Sequence, residues 1–369
     1  MPPINLLIKP VSGSCNMRCC YCFYTDEMAN REQACYGRMS AETLEAVVRR
    51  AMEFAEGSIT FAFQGGEPTL IGLDFYRRLV ELCGRYNTKR LQVAYALQTN
   101  GLLLNEEWAA FLAQNRVLVG LSLDGPAELH DRTRTDAAGK GTHARVMAAA
   151  RLLKKHGVDF NILTVVNGTV ARSGRKMWSF FAKNGFDWLQ CIPCLDPLDA
   201  SPAPWSLTAD RYAEFLKTTF DCWYADITAG RQVSERTFDN WVGMLAGRPP
   251  ESCGMSGVCS HQFVLEADGS VYPCDFYVLD GLRLGNLVTD SFEEIERKRA
   301  ELGFVEASRH IHEDCRSCQW ALLCRGGCRR HREPFVEGKP GLNRFCEAYK
   351  QFFPYAIGRM QQLAARLRR

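Results

Sequence analysis

Leu6-Leu7-Ile8-Lys9-Pro10-Val11-Ser12-Gly13-Ser14-Cys15-Asn16-Met17-Arg18-Cys19-Cys20-Tyr21-Cys22 sets three thiols, Cys15, Cys19 and Cys22, in a C-x3-C-x2-C spacing on a loop directly after an apolar strand. That strand is the first of a series. From Asn5 to about Cys194, short β-branched or apolar runs alternate with longer amphipathic ones, the pattern of repeated β-α units around a parallel sheet. Six strands are expected, at 6–8, 59–63, 91–97, 117–123, 159–165 and 188–192, with helices at 40–55, 74–86, 106–114, 142–156 and 172–183. The fold class is therefore α/β, a partial (β/α)6 TIM-like barrel. Polar or glycine-rich tips follow the strands, at Gly65-Gly66-Glu67-Pro68, Thr99-Asn100-Gly101 and Asp124-Gly125-Pro126. In barrel folds such strand-end loops carry the chemistry.

A proline-rich break, Ser201-Pro202-Ala203-Pro204, leads into a long amphipathic helix at about 208–228, after which the pattern changes. A domain boundary is expected near residue 235, dividing 1–235 from a cysteine-rich 236–369. Within the latter, 262–266 and 270–272 flank Ala267-Asp268-Gly269 as a β-hairpin. The remainder is expected to be cysteine-rich loop and a terminal helix, whose basic end, Arg366-Leu367-Arg368-Arg369, is a solvated terminus.

The chain has 369 residues, 46% hydrophobic and 24% charged, enough for one large domain and a smaller one. Its net charge is only +3, with Lys and Arg scattered, which excludes the one-sided basic stripe of a nucleic-acid binder. No apolar run approaches the ~20 residues of a membrane helix, and Met1-Pro2-Pro3-Ile4 lacks the regions of a secretory signal. A cytoplasmic protein is expected, without a membrane partner. In that compartment thiols are normally metal ligands or catalysts, so the 17 cysteines are the anomaly of the composition.

Three thiolates on one loop can hold three corners of a cubane cluster and leave one iron without a protein ligand. An open iron of that kind can chelate the amino and carboxylate groups of S-adenosylmethionine, whose sulfonium bond one electron then cleaves to release a carbon radical. On spacing alone the alternatives are a zinc site, or a four-cysteine cluster completed by Cys20 or Cys35. A second array follows: Cys253, then Cys259-x9-Gly269-x4-Cys274, then Cys315-x2-Cys318-x5-Cys324-x3-Cys328, then Cys346. Eight thiols suit two four-cysteine clusters, with two structural zinc sites as the alternative. Of the six other cysteines, Cys191 and Cys194 are spaced like a metal or redox pair but are read as small buried hydrophobes.

The C-x3-C-x2-C loop with Tyr21 before its third cysteine, the Gly65-Gly66-Glu67-Pro68 turn and the second array resemble the radical S-adenosylmethionine enzymes that carry a C-terminal SPASM domain. Within them the chain is most similar to the anaerobic sulfatase-maturating enzymes, through Leu7-Ile8-Lys9-Pro10, Cys22-Phe23-Tyr24, Phe61-Ala62-Phe63-Gln64 and Cys274-Asp275-Phe276-Tyr277. The resemblance implies three [4Fe-4S] clusters. Cys15, Cys19 and Cys22 would hold the one that binds S-adenosylmethionine. Cys253, Cys259, Cys274 and Cys328 would hold one auxiliary cluster, and Cys315, Cys318, Cys324 and Cys346 the other. Tyr21 would lie near the adenine, Gly65, Gly66 and Glu67 near the methionine end, Ser122 and Arg134 at the ribose and carboxylate, and Leu195 at the adenine side through its backbone. Without the family, the glycine motif reads as a tight turn and Asp275 as a loop aspartate accepting backbone hydrogen bonds.

The implied reaction converts a cysteine or serine of a sulfatase polypeptide to Cα-formylglycine, by adenosyl-radical abstraction of a β-hydrogen. Asp275 would be the base and Tyr24 and Gln64 substrate contacts. A flavodoxin- or ferredoxin-type electron donor and a monomeric state are expected. Two other functions fit less of the sequence. A SPASM-type peptide maturase forming thioether or carbon–carbon crosslinks often carries a leader-recognition domain, for which 14 residues before Cys15 are too few. A multi-cluster electron-transfer protein would leave the β-α units and the glycine motif unexplained.

Overall fold

The computed structural model describes residues 3–199 and 201–367; the Arg368-Arg369 end of the basic tail lies outside them. Among the described residues there are ten strands: β1 (Ile4–Ile8), β2 (Ser58–Phe63), β3 (Gln92–Thr99), β4 (Leu118–Ser122), β5 (Phe160–Val166), β6 (Trp188–Pro193), β7 (Ser234–Glu235), β8 (Phe263–Leu265), β9 (Ser270–Tyr272) and β10 (Gly285–Asn286). The first six lie where the alternation of apolar runs puts them, within a few residues, and the fold is α/β with a parallel sheet. The chain divides into two compact units.

The first unit comprises the chain up to Ser122, Arg134–Phe160 and His261–Gly303. Strands β1 to β4 pair in parallel in sequence order. On β2, Ile59, Phe61 and Phe63 alternate inward and are buried, the period-2 pattern of a strand packed on one face. The helix Ala41–Phe54 after β1 buries Leu44, Val47, Val48 and Ala51, the i, i+3, i+4, i+7 stripe of an amphipathic helix. Ser40 caps it by accepting from the Thr43 N–H, a bond worth about 1 kcal/mol.

The expected hairpin is present as β8 and β9, with Val264 opposite Tyr272. Its placement was not legible: β8 pairs in parallel with the free edge of β1, Leu6 against Phe263 and Ile8 against Leu265. Loop was expected after it, and that is corrected. A helix spans Phe292–Leu302, started by a capping box in which Ser291 and Glu294 satisfy each other's backbone N–H groups.

The second unit comprises Leu123–Thr133, Asn161–Ser260 and the chain from Phe304 onward. It carries β5, β6 and β7 in parallel register. The long helix is Ala209–Thr228, capped by Thr208. Its Phe220 meets Phe352 of the terminal helix Cys346–Leu367 with ring centroids 5.6 Å apart. Trp241, on a further helix (Arg236–Leu245) that the sequence did not suggest, packs 5.1 Å from the same ring. This aromatic core fixes the start of the terminal helix, and with it Cys346. No helix among the described residues is long and apolar enough to cross a membrane.

Candidate active site

The β1 tip turns through Pro10–Ser14 into the first cysteine loop. Cys15, Cys19 and Cys22 are all partly exposed thiols, and the turn closes with the Cys22 N–H donating to the Cys19 carbonyl at 3.2 Å. Cys22 then stands immediately before a short helix, Phe23–Ala29, without its thiol capping it. The Met17 N–H points at Cys15 Sγ from 3.3 Å. Burial pushes the Cys15 thiol up to about 11, against the Met17 N–H, with Glu67 and Cys22 raising it further. The donor set fits an iron–sulfur cluster: three thiols on one turn, and an N–H placed to support a thiolate sulfur. Among the described residues no three His, Cys, Asp or Glu side chains meet tightly enough to chelate a single ion; that criterion bears on a mononuclear site, whereas each thiolate of a cubane binds its own iron. Of the candidate fourth ligands, Cys20 and Cys35 are both exposed, and Cys35 Sγ lies 3.5 Å from Ser14 Oγ.

The glycine turn after β2 is built to touch this loop. Gly65 and Gly66 take φ of +97° and +53°, backbone that side chains rarely adopt. A Cβ on Gly66 would lie 2.1 Å from the Ser14 carbonyl oxygen, and one on Gly65 2.5 Å from Lys9 Cγ. Glu67 is fully buried and turned inward. Its Oε1 accepts from the Thr69 N–H at 3.1 Å, Thr69 Oγ at 2.5 Å and Thr99 Oγ at 2.7 Å, and its Oε2 from the Asn100 N–H at 2.8 Å. Asn100 in turn donates to Asn16 Oδ1 at 2.8 Å, beside Cys15. Both Glu67 oxygens are thus spent inside the protein, where they position the strand tips.

Tyr21 is buried under the Arg134 guanidinium, 5.4 Å from its ring centroid, and Ser122 Oγ accepts from Gln98 Nε2 at 3.1 Å. Leu195, in the second unit, is buried, and its carbonyl accepts from the Cys194 thiol at 3.6 Å.

Asp275, Tyr24 and Gln64 come together although they lie on three separate segments. Asp275 Oδ2 accepts from Tyr24 Oη at 2.7 Å and from Gln64 Nε2 at 2.9 Å, and Gln64 Nε2 lies 2.8 Å from Tyr24 Oη. Phe23 and Phe276, half-exposed, meet edge to face beside them at 4.9 Å. Asp275 is therefore held by side chains, and the alternative of a loop aspartate occupied by backbone N–H groups does not describe it.

A buried charge cluster lies behind these residues. Lys9 Nζ sits 3.2 Å from Glu27 Oε2, 3.3 Å from Asp275 Oδ1 and 4.0 Å from Glu266 Oε1, and Arg31 pairs with Glu266 at 2.8 Å. Burial pulls the Lys9 ammonium down, but Glu27, Asp275 and Glu266 outweigh it and hold it above the ordinary lysine range. Burial pushes Glu27 upward against Lys9, and burial, then Asp275, takes Tyr24 well above the ordinary phenol range. At an effective dielectric near 20, a unit charge 3.3 Å away contributes about 5 kcal/mol, against several kcal/mol to desolvate each ion. No pair is self-supporting, so the cluster stands as a set. Sequence reasoning missed Lys9, Glu27, Arg31 and Glu266 as site residues. The only local signal was a lysine at the end of an apolar strand, and the contacts join positions up to 251 residues apart.

The second array divides between the units. Cys274 belongs to the first, next to Asp275. In the second, Cys253, Cys259 and Cys328 are gathered: burial pushes Cys328 up to about 12, with Cys253 and Cys259 raising it further. Cys315, Cys318, Cys324 and Cys346 form the other group, in which burial pushes Cys324 up to about 11 and the remaining three add to it. Four partly exposed thiols, backed by the aromatic core at Cys346, fit a four-thiolate cluster. Cys191 and Cys194 are buried, and burial holds the Cys191 thiol well above its ordinary range, as suits small hydrophobes.

Comparison with known proteins agrees with this geometry. The family model of the radical SAM superfamily matches residues 10–173, and that of an iron-sulfur cluster-binding domain, SPASM, matches 253–319. The chain is 46% identical to the cysteine-type anaerobic sulfatase-maturating enzyme of Clostridium perfringens (strain 13 / Type A), over 99% of both chains. It is 30% identical to the serine-type enzyme of Bacteroides thetaiotaomicron, over 96% of this chain and 89% of that one. A solved structure of native anSMEcpe with bound AdoMet and Cp18Cys peptide superposes with a TM-score of 0.94 at 46% identity, covering 99% of this chain and all of that one. On full-length identity of that order, with both matched domains in place, the chain belongs to the anaerobic sulfatase-maturating enzymes of the radical SAM superfamily.

Proposed function

We propose that the protein oxidises an active-site cysteine of a sulfatase to Cα-formylglycine, with Asp275 as the base. The observation that carries the reading is the carboxylate of Asp275, 6% exposed, with Oδ2 faced by Tyr24 and Gln64 and with Cys274 as its neighbour in the chain. When bound, S-adenosylmethionine on the Cys15, Cys19 and Cys22 cluster supplies the 5′-deoxyadenosyl radical that takes the substrate β-hydrogen, and two auxiliary clusters on the eight later cysteines supply an electron acceptor. Asp275 Oδ2 takes the proton of the substrate thiol as the C=S bond forms, and water then adds to the thioaldehyde and hydrogen sulfide leaves, giving the aldehyde. Tyr24 and Gln64 hold the carboxylate in place and offer polar contacts to the thiol. Gly65 and Gly66 let the backbone approach the methionine end closely. Tyr21, under the Arg134 guanidinium, faces the adenine, and Ser122 and Arg134 serve the ribose and carboxylate.

Preference for cysteine over serine rests on the greater likeness to the cysteine-type relative. The reading also includes a barrel and SPASM division near residue 235, a flavodoxin- or ferredoxin-type donor, a monomer, and a cytoplasmic location suited to 17 cysteines.

The test is anaerobic reconstitution with iron and sulfide, followed by S-adenosylmethionine, a low-potential reductant and a Cys-x-Pro-x-Arg peptide, with products read by mass spectrometry. Aldehyde with 5′-deoxyadenosine alongside is expected, faster than from the serine peptide. Deoxyadenosine with the peptide unchanged would point to another substrate.

A further inference from the structure

We infer that Lys9 is the positioning residue for the Asp275 carboxylate, turning one oxygen away from the substrate and leaving the other to receive its proton. This rests on Asp275 being the base. Lys9 is 1% exposed, and its Nζ lies 3.3 Å from Oδ1, the oxygen that neither Tyr24 nor Gln64 touches. Oδ1 has no hydrogen-bond partner, so the ammonium's charge is what holds that side of the group. The same ammonium stands 4.6 Å from the Tyr24 ring centroid, so one charge fixes both the base and the phenol that donates to it.

The lysine itself is constrained at both ends. Its stem passes over Gly65, where a Cβ would lie 2.5 Å from Cγ. Its head is balanced on the far side by Glu27 Oε2 at 3.2 Å, and Glu27 Oε1 accepts from the Val278 N–H at 3.1 Å. A buried lysine is rare unless paired. Here the pairing ties the glycine turn after β2, the helix after Cys22 and the Cys274-Asp275 segment to a single ammonium.

The test compares Lys9→Met, Lys9→Arg and Asp275→Asn in the anaerobically reconstituted holoenzyme. It reads kcat, peptide KM, iron content, and the ratio of 5′-deoxyadenosine to aldehyde formed. For K9M, kcat is expected to fall on the order of 10²-fold, the scale for a reacting group misplaced by about an ångström. In the iron-loaded fraction peptide KM should stay near wild type, while deoxyadenosine per aldehyde rises because radical formation outruns proton removal. K9R should recover part of both. Wild-type kcat and ratio in K9M overturn the proposal, as does a joint loss of kcat, iron and peptide affinity that K9R does not relieve, since that marks a structural role. If K9M does not hold iron, the double variant Lys9→Met/Glu27→Gln removes the cation with its balancing anion, and a wild-type ratio there overturns the proposal. D275N forming aldehyde at the wild-type rate sinks the base assignment, and Lys9's role with it. Loss of activity in D275N beside a normal K9M overturns the role of Lys9 alone.

Discussion

Replacing Glu67 by alanine strips a buried carboxylate from four donors: two backbone N–H groups, of Thr69 and Asn100, and the hydroxyls of Thr69 and Thr99. The hydroxyls can rotate to other partners, but the N–H groups cannot. Each buried N–H left without an acceptor costs about 1–3 kcal/mol, so the gross loss is about 2–6 kcal/mol. Part of it is returned, because burial already pushes the Glu67 carboxyl up despite its donors; removing that charge removes its desolvation cost. A net loss of about 2–4 kcal/mol is expected. Glu67→Gln keeps a carbonyl for the three bonds to Oε1 but sets an amide donor against the Asn100 N–H, and should lose about 1–3 kcal/mol. Because Asn100 holds Asn16 beside Cys15, both variants should also loosen the cysteine loop. Anaerobic thermal denaturation, with S-adenosylmethionine affinity measured on the same samples, should give the order wild type, Gln, Ala in both. Melting of E67A at the wild-type temperature with undiminished affinity would refute the reasoning.

Gly66→Ala puts a Cβ 2.1 Å from the Ser14 carbonyl oxygen at a φ of +53°; the backbone must move, and iron content and S-adenosylmethionine affinity should both drop, the latter by about tenfold or more. Tyr24→Phe removes the donor to Asp275 Oδ2, a charge-assisted bond of about 1.5–3 kcal/mol, and should lower both the melting temperature and kcat, the latter about tenfold or more at saturating peptide. Burial pushes Glu235 from 4.5 up to about 7; a carboxyl raised on folding stabilises below its unfolded value and loses that contribution as pH rises through its folded one. Relative to Glu235→Gln, the wild type should therefore lose up to about 3 kcal/mol between pH 4.5 and 7, seen as diverging melting temperatures, and parallel curves would count against it. Cys324→Ala should lower iron by about four per chain while leaving S-adenosylmethionine cleavage measurable; unchanged iron would exclude the second auxiliary assignment.

The sequence alone determined the βα units, because periods of 2 and 3.6 follow from backbone geometry, and each strand or helix shows its buried face locally. Ile59, Phe61 and Phe63, and Leu44, Val47, Val48 and Ala51, are such faces. It also narrowed the first loop to a metal or cluster site, because ligand cysteines must be spaced by what they hold, while the radical chemistry came from the resemblance of that loop, the glycine turn and the second array to a known family. And it showed the β8–β9 hairpin, whose turn residues are contiguous. The helix Phe292–Leu302 was written there too, in Ser291-Phe292-Glu293-Glu294, but its capping box was overshadowed by the cysteines on either side.

Only the tertiary structure decided the pairing of β8 with the edge of β1, because a strand's partner depends on which edge is left open and a three-residue strand carries little register information. It likewise decided the company of Asp275. Lys9 ends a strand, Glu27 lies on the helix after the cysteines, and Glu266 borders the hairpin; each alone reads as an ordinary surface charge. They become one site because folding removes all of them from water together, and buried charges must then find one another.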